Sequence, residues 1–215
     1  MKWANDIKAA VGKRVLARKI KGSKRIVMAC NLNKAKRIGI IYNATEYVSF
    51  EIIRELVKQL IDNEVSVSVL GYVHSKKLID HYLYRKGFDF FSKNDLNWYY
   101  RPVSSVAEQF MGESFDLLLN LSLEEHFPIQ YITSLSPATF KAGRYFLMNQ
   151  SLDFMIDIEK ENLAMRKLHK DIMGEAETVV ENREIEADVD KKTETELQLK
   201  FLINQLLHYL SLLNK

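Results

Sequence analysis

The first 37 residues carry the clearest chemistry in this 215-residue chain, because they contain twelve Lys or Arg and a single acid, Asp6. Their net charge is +11, against −8 for the remainder of the chain. Clustered ammonium and guanidinium groups bind nucleic-acid phosphates and release the counterions condensed on them. The residues that we expect to contact phosphates are Lys8, Lys13, Arg14, Arg18, Lys19, Lys21, Lys24 and Arg25.

The same segment has the spacing of an amphipathic helix. Apolar side chains recur at every fourth position, at Trp3, Ile7, Val11 and Val15. A basic helix of this kind suits three partners: RNA or a ribosomal particle, an anionic membrane surface, or the acidic part of its own chain. In the alternative interpretation the apolar stripe docks on the domain and the charges only face water. We favour RNA or a ribosomal particle.

A second group of candidates follows the apolar runs that we predict as strands. In an open α/β sheet, ligands bind beyond the carboxyl ends of the strands, where the strand order reverses. The polar residues expected there are Asn43, Thr45, Asn120, Ser122, Glu124 and Arg144. Their structural alternatives are turn formation, helix capping, a first-turn acid and surface ion pairing.

Several other chemistries lack their signatures. The turn NATEYVS after the first predicted strand has no glycine, which argues against ordinary NAD or ATP binding. No two histidines are four residues apart, and Cys30 has no partner for a disulfide or a CxxC site. Glu124, Glu125 and His126 are adjacent and would diverge on a helix or strand. No GxSxG nucleophile motif occurs. We therefore predict no catalytic residues, no cofactor and no metal.

The elements that must position these residues alternate between strand and helix. A strand over 38–44, a helix over 49–63 with Ser49 as its N-cap, and a strand over 65–73 make one βαβ unit. Beyond it the pattern predicts helices over 75–87, 104–114 and 124–136. It also predicts a strand and a loop within 88–100, and strands over 115–122 and 139–146 and at 154–158. The predicted fold is a single open, mostly parallel, Rossmann-like α/β sheet flanked by helices, with a basic N-terminal helix and a C-terminal amphipathic helix.

Two further segments each admit two interpretations. The aromatic cluster at 98–102, WYYRP, could stack on exposed bases or cover a core edge. Residues 174–192 read as an acidic linker, and Thr193 with Glu196 matches a capping box before a helix. The apolar face of that helix, expected to dock on its own domain or to form a homodimer seam, comprises Leu199, Leu202, Leu206, Tyr209 and Leu213.

The stretch FDLLLNLSLEEHFPIQYITSLSPATFKAGRY, together with the basic N-terminus and the first βαβ unit, resembles an uncharacterised bacterial family known only as a domain of unknown function. The resemblance implies a small Rossmann-like protein and supplies no catalytic residues. The pattern ending in FKAGRY also resembles the acceptor half of two-domain glycosyltransferases of the heptosyltransferase kind. Those enzymes hold their nucleotide-sugar mainly through a second domain, for which this chain has no room.

We divide the chain into a basic arm at 1–37, a Rossmann-like domain at 38–173, an acidic linker at 174–192 and a helix at 193–215. With no membrane-spanning run and no signal peptide, we expect it in the cytoplasm. The favoured function is a non-enzymatic module that binds RNA or a ribosomal particle through its arm. The alternatives are a small-molecule or nucleotide-sugar site in the strand-end cleft and a peripheral membrane or protein-interaction scaffold.

Overall fold

The computed structural model describes residues 2–76, 87–147, 151–159 and 183–213, without the side chains at 2, 4 and 183–191. These residues form five α-helices, six β-strands and two short 3-10 helices. In chain order the helices and strands are α1 (Lys2–Gly22), β1 (Arg37–Asn43), α2 (Tyr47–Asp62), β2 (Ser66–Val73), β3 (Phe88–Ser92), α3 (Ser105–Gly112), β4 (Leu117–Asn120), α4 (Phe127–Leu135), β5 (Phe140–Arg144), β6 (Phe154–Ile156) and α5 (Arg183–Leu212).

The six strands make one open sheet in the order β3-β2-β1-β4-β5-β6, and every pairing is parallel. Strand β1 is central, since Ile38 pairs with Val67 of β2 on one side and with Leu117 of β4 on the other. The strand order reverses at this point, because β2 and β3 extend to one side of β1 and β4 to β6 to the other. The predicted α/β fold is confirmed.

Helices cover both faces of the sheet. Alternate residues of a strand point to opposite faces, so Ile38 and Ile40 join the core beneath α2 and α5, whereas Ile41 joins the core beneath α3 and α4. Helix α1 packs on the outer side of α4. The two faces of the sheet therefore carry the two terminal helices separately, α5 on one and α1 on the other.

The orientation of α1 differs from the predicted one. Trp3 is 76% exposed and Ile7 is also exposed, while the docked side of the helix carries Gly12 and Leu16. A Cβ atom at Gly12 would lie 2.5 Å from the Tyr99 carbonyl oxygen and 3.0 Å from the Phe127 ring. Only a residue without a side chain permits this approach. The predicted stripe was wrong at Trp3 and Ile7, whereas its other members, Val11 and Val15, are half-buried. The prediction weighted large apolar residues and so passed over Gly12.

Two helix starts also differ from prediction. Helix α2 begins at Tyr47, and Ser49 is buried inside it instead of capping it. The side chain of Asn43 turns the backbone at Thr45 and brings it into the helix two residues early. Helix α5 begins at Arg183, so Thr193 and Glu196 lie within it and form no cap.

The early start of α5 has a cause in the sequence. Asp188 precedes Lys191 and Lys192 by three and four residues, the spacing that supports a helix. Residues 183–192 of the predicted acidic linker are therefore helical, whereas 174–182 lie outside the described residues, as does most of the helix predicted over 75–87. Among the described helices, none is long and apolar enough to cross a membrane.

Candidate functional site

A cleft of about 550 Å³ lies at the carboxyl edge of the sheet, where the strand order reverses. Asn43 and Thr45, which follow β1, form part of its wall, and His74 after β2 forms another part. Leu121 and Leu123 approach it from the end of β4. Parallel strands end at the same edge, so the residues that follow them converge there.

Hydrogen bonds fix the orientation of Asn43 within this cleft. Its Oδ1 accepts from the Thr45 backbone N–H at 3.0 Å and from the Thr45 hydroxyl at 2.6 Å. Its amide Nδ2, left as the donor, lies 3.0 Å from Nε2 of His126. The imidazole of His126 therefore accepts at Nε2, and in its neutral form it carries its proton on Nδ1.

His74 and His126 form a contacting pair, with ring centroids 4.9 Å apart. Burial lowers the pKa of His126, and His74 lowers it further, while the Glu124 carboxylate, 3.5 Å from Nε2, acts in the opposite direction. Burial and then Lys93 lower the pKa of His74. Both rings are therefore neutral at pH 7, and the one acceptor nitrogen of His126 is already engaged by Asn43.

Four of the six predicted strand-end residues line the cleft, namely Asn43, Thr45, Glu124 and Arg144. Asn120 and Ser122 do not line it, and both are at least 98% buried. Successive residues after β4 point to opposite sides, so Leu121 and Leu123 occupy the positions facing the cleft. The Asn120 side chain accepts the Ser122 backbone N–H at 3.2 Å, which is the turn-forming alternative.

Arg144 closes one side of the cleft. Its guanidinium donates to the Leu123 carbonyl oxygen and to Glu159 at 2.5 Å, and it lies 5.3 Å from the Phe146 ring. Arg144 therefore holds the end of β5 against the segment that follows β4. It acts mainly through these intramolecular contacts.

The sequence analysis missed several residues of the cleft. His74 directly follows β2, so the rule that selected Asn43 would also have selected it. His126 was considered only beside its sequence neighbours and not beside Asn43. Glu194, Thr195 and Gln198 come from α5, about 150 residues after β1, and no local pattern indicates where that helix lies.

The composition of the cleft limits the ligands that it suits. Glu46 stands at the start of α2, where a phosphate-binding loop would place glycines, and its carboxylate would repel a phosphate. Four glutamates and one arginine line the described wall. In the described part of the chain, no group of three or more His, Cys, Asp or Glu could hold a metal ion.

The predicted phosphate-binding residues are distributed unevenly around the arm. Lys13, Arg14, Arg18, Lys21 and Lys24 are exposed, and Lys8 is half-buried.

Two of the eight have an ion pair or a ring contact with other described residues. Lys19, also exposed, has its Nζ 5.9 Å from the centroid of the Tyr131 ring. Arg25 forms a two-pronged ion pair with Asp153 and donates to the Ala138 carbonyl oxygen at 2.9 Å. The guanidinium of Arg25 is therefore engaged within the fold, and we no longer expect it to contact phosphate.

Comparison with known proteins identifies the family but no activity. No curated protein and no solved structure matches the chain. A family model described as "Family of unknown function (DUF6913)" matches residues 8–169, which include most of the arm and all six strands of the sheet. The chain belongs to this family of unknown function, DUF6913.

Proposed function

We propose that this chain is a non-enzymatic cytoplasmic module that associates with RNA or a ribosomal particle through α1 and the residues that follow it. The observation that carries the proposal is a row of cations on the outward side of α1. With about 3.6 residues per turn, Arg14, Arg18 and Lys21 share the side opposite Gly12 and Leu16. All three are exposed, and none forms an ion pair among the described residues.

The way α1 is anchored supports this role. Helix α1 contacts its neighbours through a narrow row of residues, so most of its surface lies in water. Its outward cations can therefore reach phosphates without any unfolding of the protein. Neutralising phosphates with these cations would release condensed counterions, a drive that weakens as salt concentration rises. Contacts of this kind carry no sequence information, so binding without sequence specificity is expected.

Substitution tests the proposal better than deletion of the arm. Deletion would also remove Arg25 from Asp153 and the buried side chain of Leu16. We would instead replace Arg14, Arg18 and Lys21 with Gln in the full chain. The matched control replaces Arg54, Lys58 and Lys200 with Gln, which removes the same charge from exposed positions on α2 and α5, on the other face of the sheet.

The measurement is co-sedimentation with ribosomal particles across a salt series. We expect the α1 variant to lower the slope of log affinity against log salt by about 2–3, and the control to leave it unchanged. Equal behaviour of the two variants would overturn the proposal. Anionic vesicles serve as a second probe, because the exposed Trp3 and Ile7 also suit a membrane surface.

A second candidate function uses the cleft as a small-molecule site, as in the glycosyltransferase-like alternative. Its location at the reversal of strand order and its volume of about 550 Å³ favour it. Because Glu46 disfavours phosphate, an uncharged sugar should raise the melting temperature more than the corresponding nucleotide-sugar. A Glu46→Gln variant that binds the nucleotide-sugar better would support this ranking.

A further inference from the structure

The loop between the 3-10 helix Lys93–Asp95 and α3 is closed by hydrogen bonds and carries Trp98 at its tip. Leu96 and Pro102 form an antiparallel bridge, and the Asn97 backbone N–H donates to the Arg101 carbonyl oxygen at 2.9 Å across the loop. The side chain of Asn97 also accepts from the backbone N–H of Tyr99 at 3.1 Å and from that of Arg101 at 3.0 Å. The loop is therefore held by its own hydrogen bonds.

Trp98 at the tip of this loop is 59% exposed. The ring of Tyr99 supports it edge-on at a centroid distance of 5.2 Å. Tyr100 has a φ of 67°, in the left-handed region that bulky residues adopt only when surrounding contacts hold them there. An exposed indole on so fixed a backbone is pre-organised for contact with a flat partner.

The same loop packs directly against α1. The Tyr99 carbonyl oxygen faces Gly12, and the Tyr100 hydroxyl lies 3.3 Å from Oδ1 of Asn5. Along α1, Lys8 lies between Asn5 and Gly12, and Lys13 directly follows Gly12. The row of Arg14, Arg18 and Lys21 lies on the opposite side of the helix, so an RNA strand that contacts both the row and the loop must pass around α1. The structure thus joins two features that are far apart in the sequence, the aromatic cluster and the cationic helix.

We propose that Trp98 stacks on an unpaired base of a single-stranded RNA whose phosphates are bound by the cations of α1. The inference deepens the function proposed above and rests on it. Aromatic rings stack on bases only where these are unpaired, because a duplex keeps its base faces stacked inside the helix. Trp98 is the one exposed residue between Leu96 and Pro102, so the continuous apolar face that a membrane would favour is missing from the tip of this loop.

The chain offers a direct spectroscopic test, because Trp3 and Trp98 are its two tryptophans. Trp3→Phe leaves Trp98 as the single reporter, and a twelve-nucleotide oligouridine should quench its fluorescence, whereas an RNA duplex of equal length should not. Trp98→Ala should weaken oligouridine binding about tenfold, with the salt dependence unchanged. Trp98→Phe should retain most of the affinity, and Trp3→Ala, which removes the other exposed indole, serves as the matched control.

The outcomes separate this inference from the function on which it rests. If the Arg14, Arg18 and Lys21 variant loses oligouridine binding while Trp98→Ala retains it and the fluorescence is unquenched, stacking is overturned and the cationic site stands. If the wild-type chain binds neither oligouridine nor ribosomal particles, both proposals fail. Loss of binding to phosphatidylglycerol vesicles in Trp98→Ala, with oligouridine binding intact, would assign the loop to a membrane surface instead.

Discussion

The two terminal helices are attached to the sheet in opposite ways. Helix α5 buries Leu199, Leu202, Leu206 and Leu210 against α2 and the sheet, and each of them is at most 1% exposed. Helix α1 is attached through Gly12 and Leu16, and its remaining large apolar residues are exposed or half-buried. A broad apolar row makes α5 part of the core, whereas a narrow one leaves α1 a surface element.

Asn31 connects the arm to the end of α5. The Asn31 side chain, in the segment after α1, donates to the carbonyl oxygens of Ser211 and Leu213 at the end of α5. These carbonyls have no partner within the helix, so Asn31 supplies the cap that the helix end lacks. The arm is thus held at both ends, by the docking of α1 and by this cap, while its cations remain outward.

The largest effect should come from the row that α5 buries. Leu202→Ala removes a fully buried side chain and should lower the free energy of unfolding by about 2–5 kcal/mol, because a cavity adds to the lost transfer energy. Leu212→Ala on the same helix is the control, since Leu212 is 45% exposed and should change stability by less than about 0.5 kcal/mol. Urea unfolding measures both. Equal losses would contradict the packing described for α5.

The homodimer seam predicted for this helix stays a prediction, and its buried leucines are already engaged within the chain.

The core beneath α1 contains a buried amine, unlike the apolar core beneath α5. Lys141 is 1% exposed, and its Nζ donates to the carbonyl oxygens of Thr133 at 2.6 Å and Ser134 at 3.2 Å, at the end of α4. Leu16 and Ile20 of α1 border the cavity beside it. Burial, followed by the nearby Arg25, lowers the pKa of Lys141 from 10.5 to about 7.

The pKa shift predicts how stability depends on pH. Between pH 7 and 10.5 the unfolded chain binds a proton that the folded Lys141 lacks, so the free energy of unfolding rises with pH across this window. Below pH 7 both states are protonated, and the folded state carries the full cost of burying the charge. The rise should be on the order of 2 kcal/mol between pH 7 and pH 9. Lys141→Met should remove it in urea titrations at several pH values. A rise of equal size in the variant would assign it to another group.

The contact of α1 should be sensitive to any side chain at position 12. Gly12→Val places a Cβ 2.5 Å from the Tyr99 carbonyl oxygen and should lower the free energy of unfolding by about 1–3 kcal/mol. It should also hasten proteolysis within the arm, because the helix must lift from α4. Gly22→Ala is the matched control, since no atom lies within 4 Å of a Cβ there. If Gly12→Val leaves both measurements unchanged, α1 is not docked through this face.

The fold was predictable because the local residue pattern of most strands is enough to indicate a strand. Continuous apolar runs and β-branched residues indicate buried parallel strands wherever they occur, and the segments between them have helical spacing. The docked face of α1 was not predictable, because Gly12 contributes by lacking a side chain. The start of α5 was missed because an acidic composition was taken as evidence against helix, although Asp188 and Lys192 have helix-supporting spacing.

The sequence predicts at which edge of the sheet the cleft lies, but not all of the side chains that line it. The rule for parallel sheets selected Asn43 and Thr45 correctly. It could not decide between Asn120 and Leu121, because a shift of one residue at a strand end reverses the side to which a residue points. The pairing of Asn43 with His126 joins positions 83 residues apart, which no spacing rule indicates.

The smallest effect on stability should come from the outward cations of α1. Arg18 is exposed and forms no ion pair among the described residues, so Arg18→Gln should change the free energy of unfolding by less than about 0.5 kcal/mol. The same change should lower the salt dependence of RNA binding by about one unit of slope, since one phosphate contact is lost. The roles of the two helices would then be distinct, because substitutions in α5 alter stability and substitutions of outward residues in α1 alter binding. A loss of stability in Arg18→Gln as large as that of Leu202→Ala would instead give Arg18 a structural role, and the distinction between the two helices would fail.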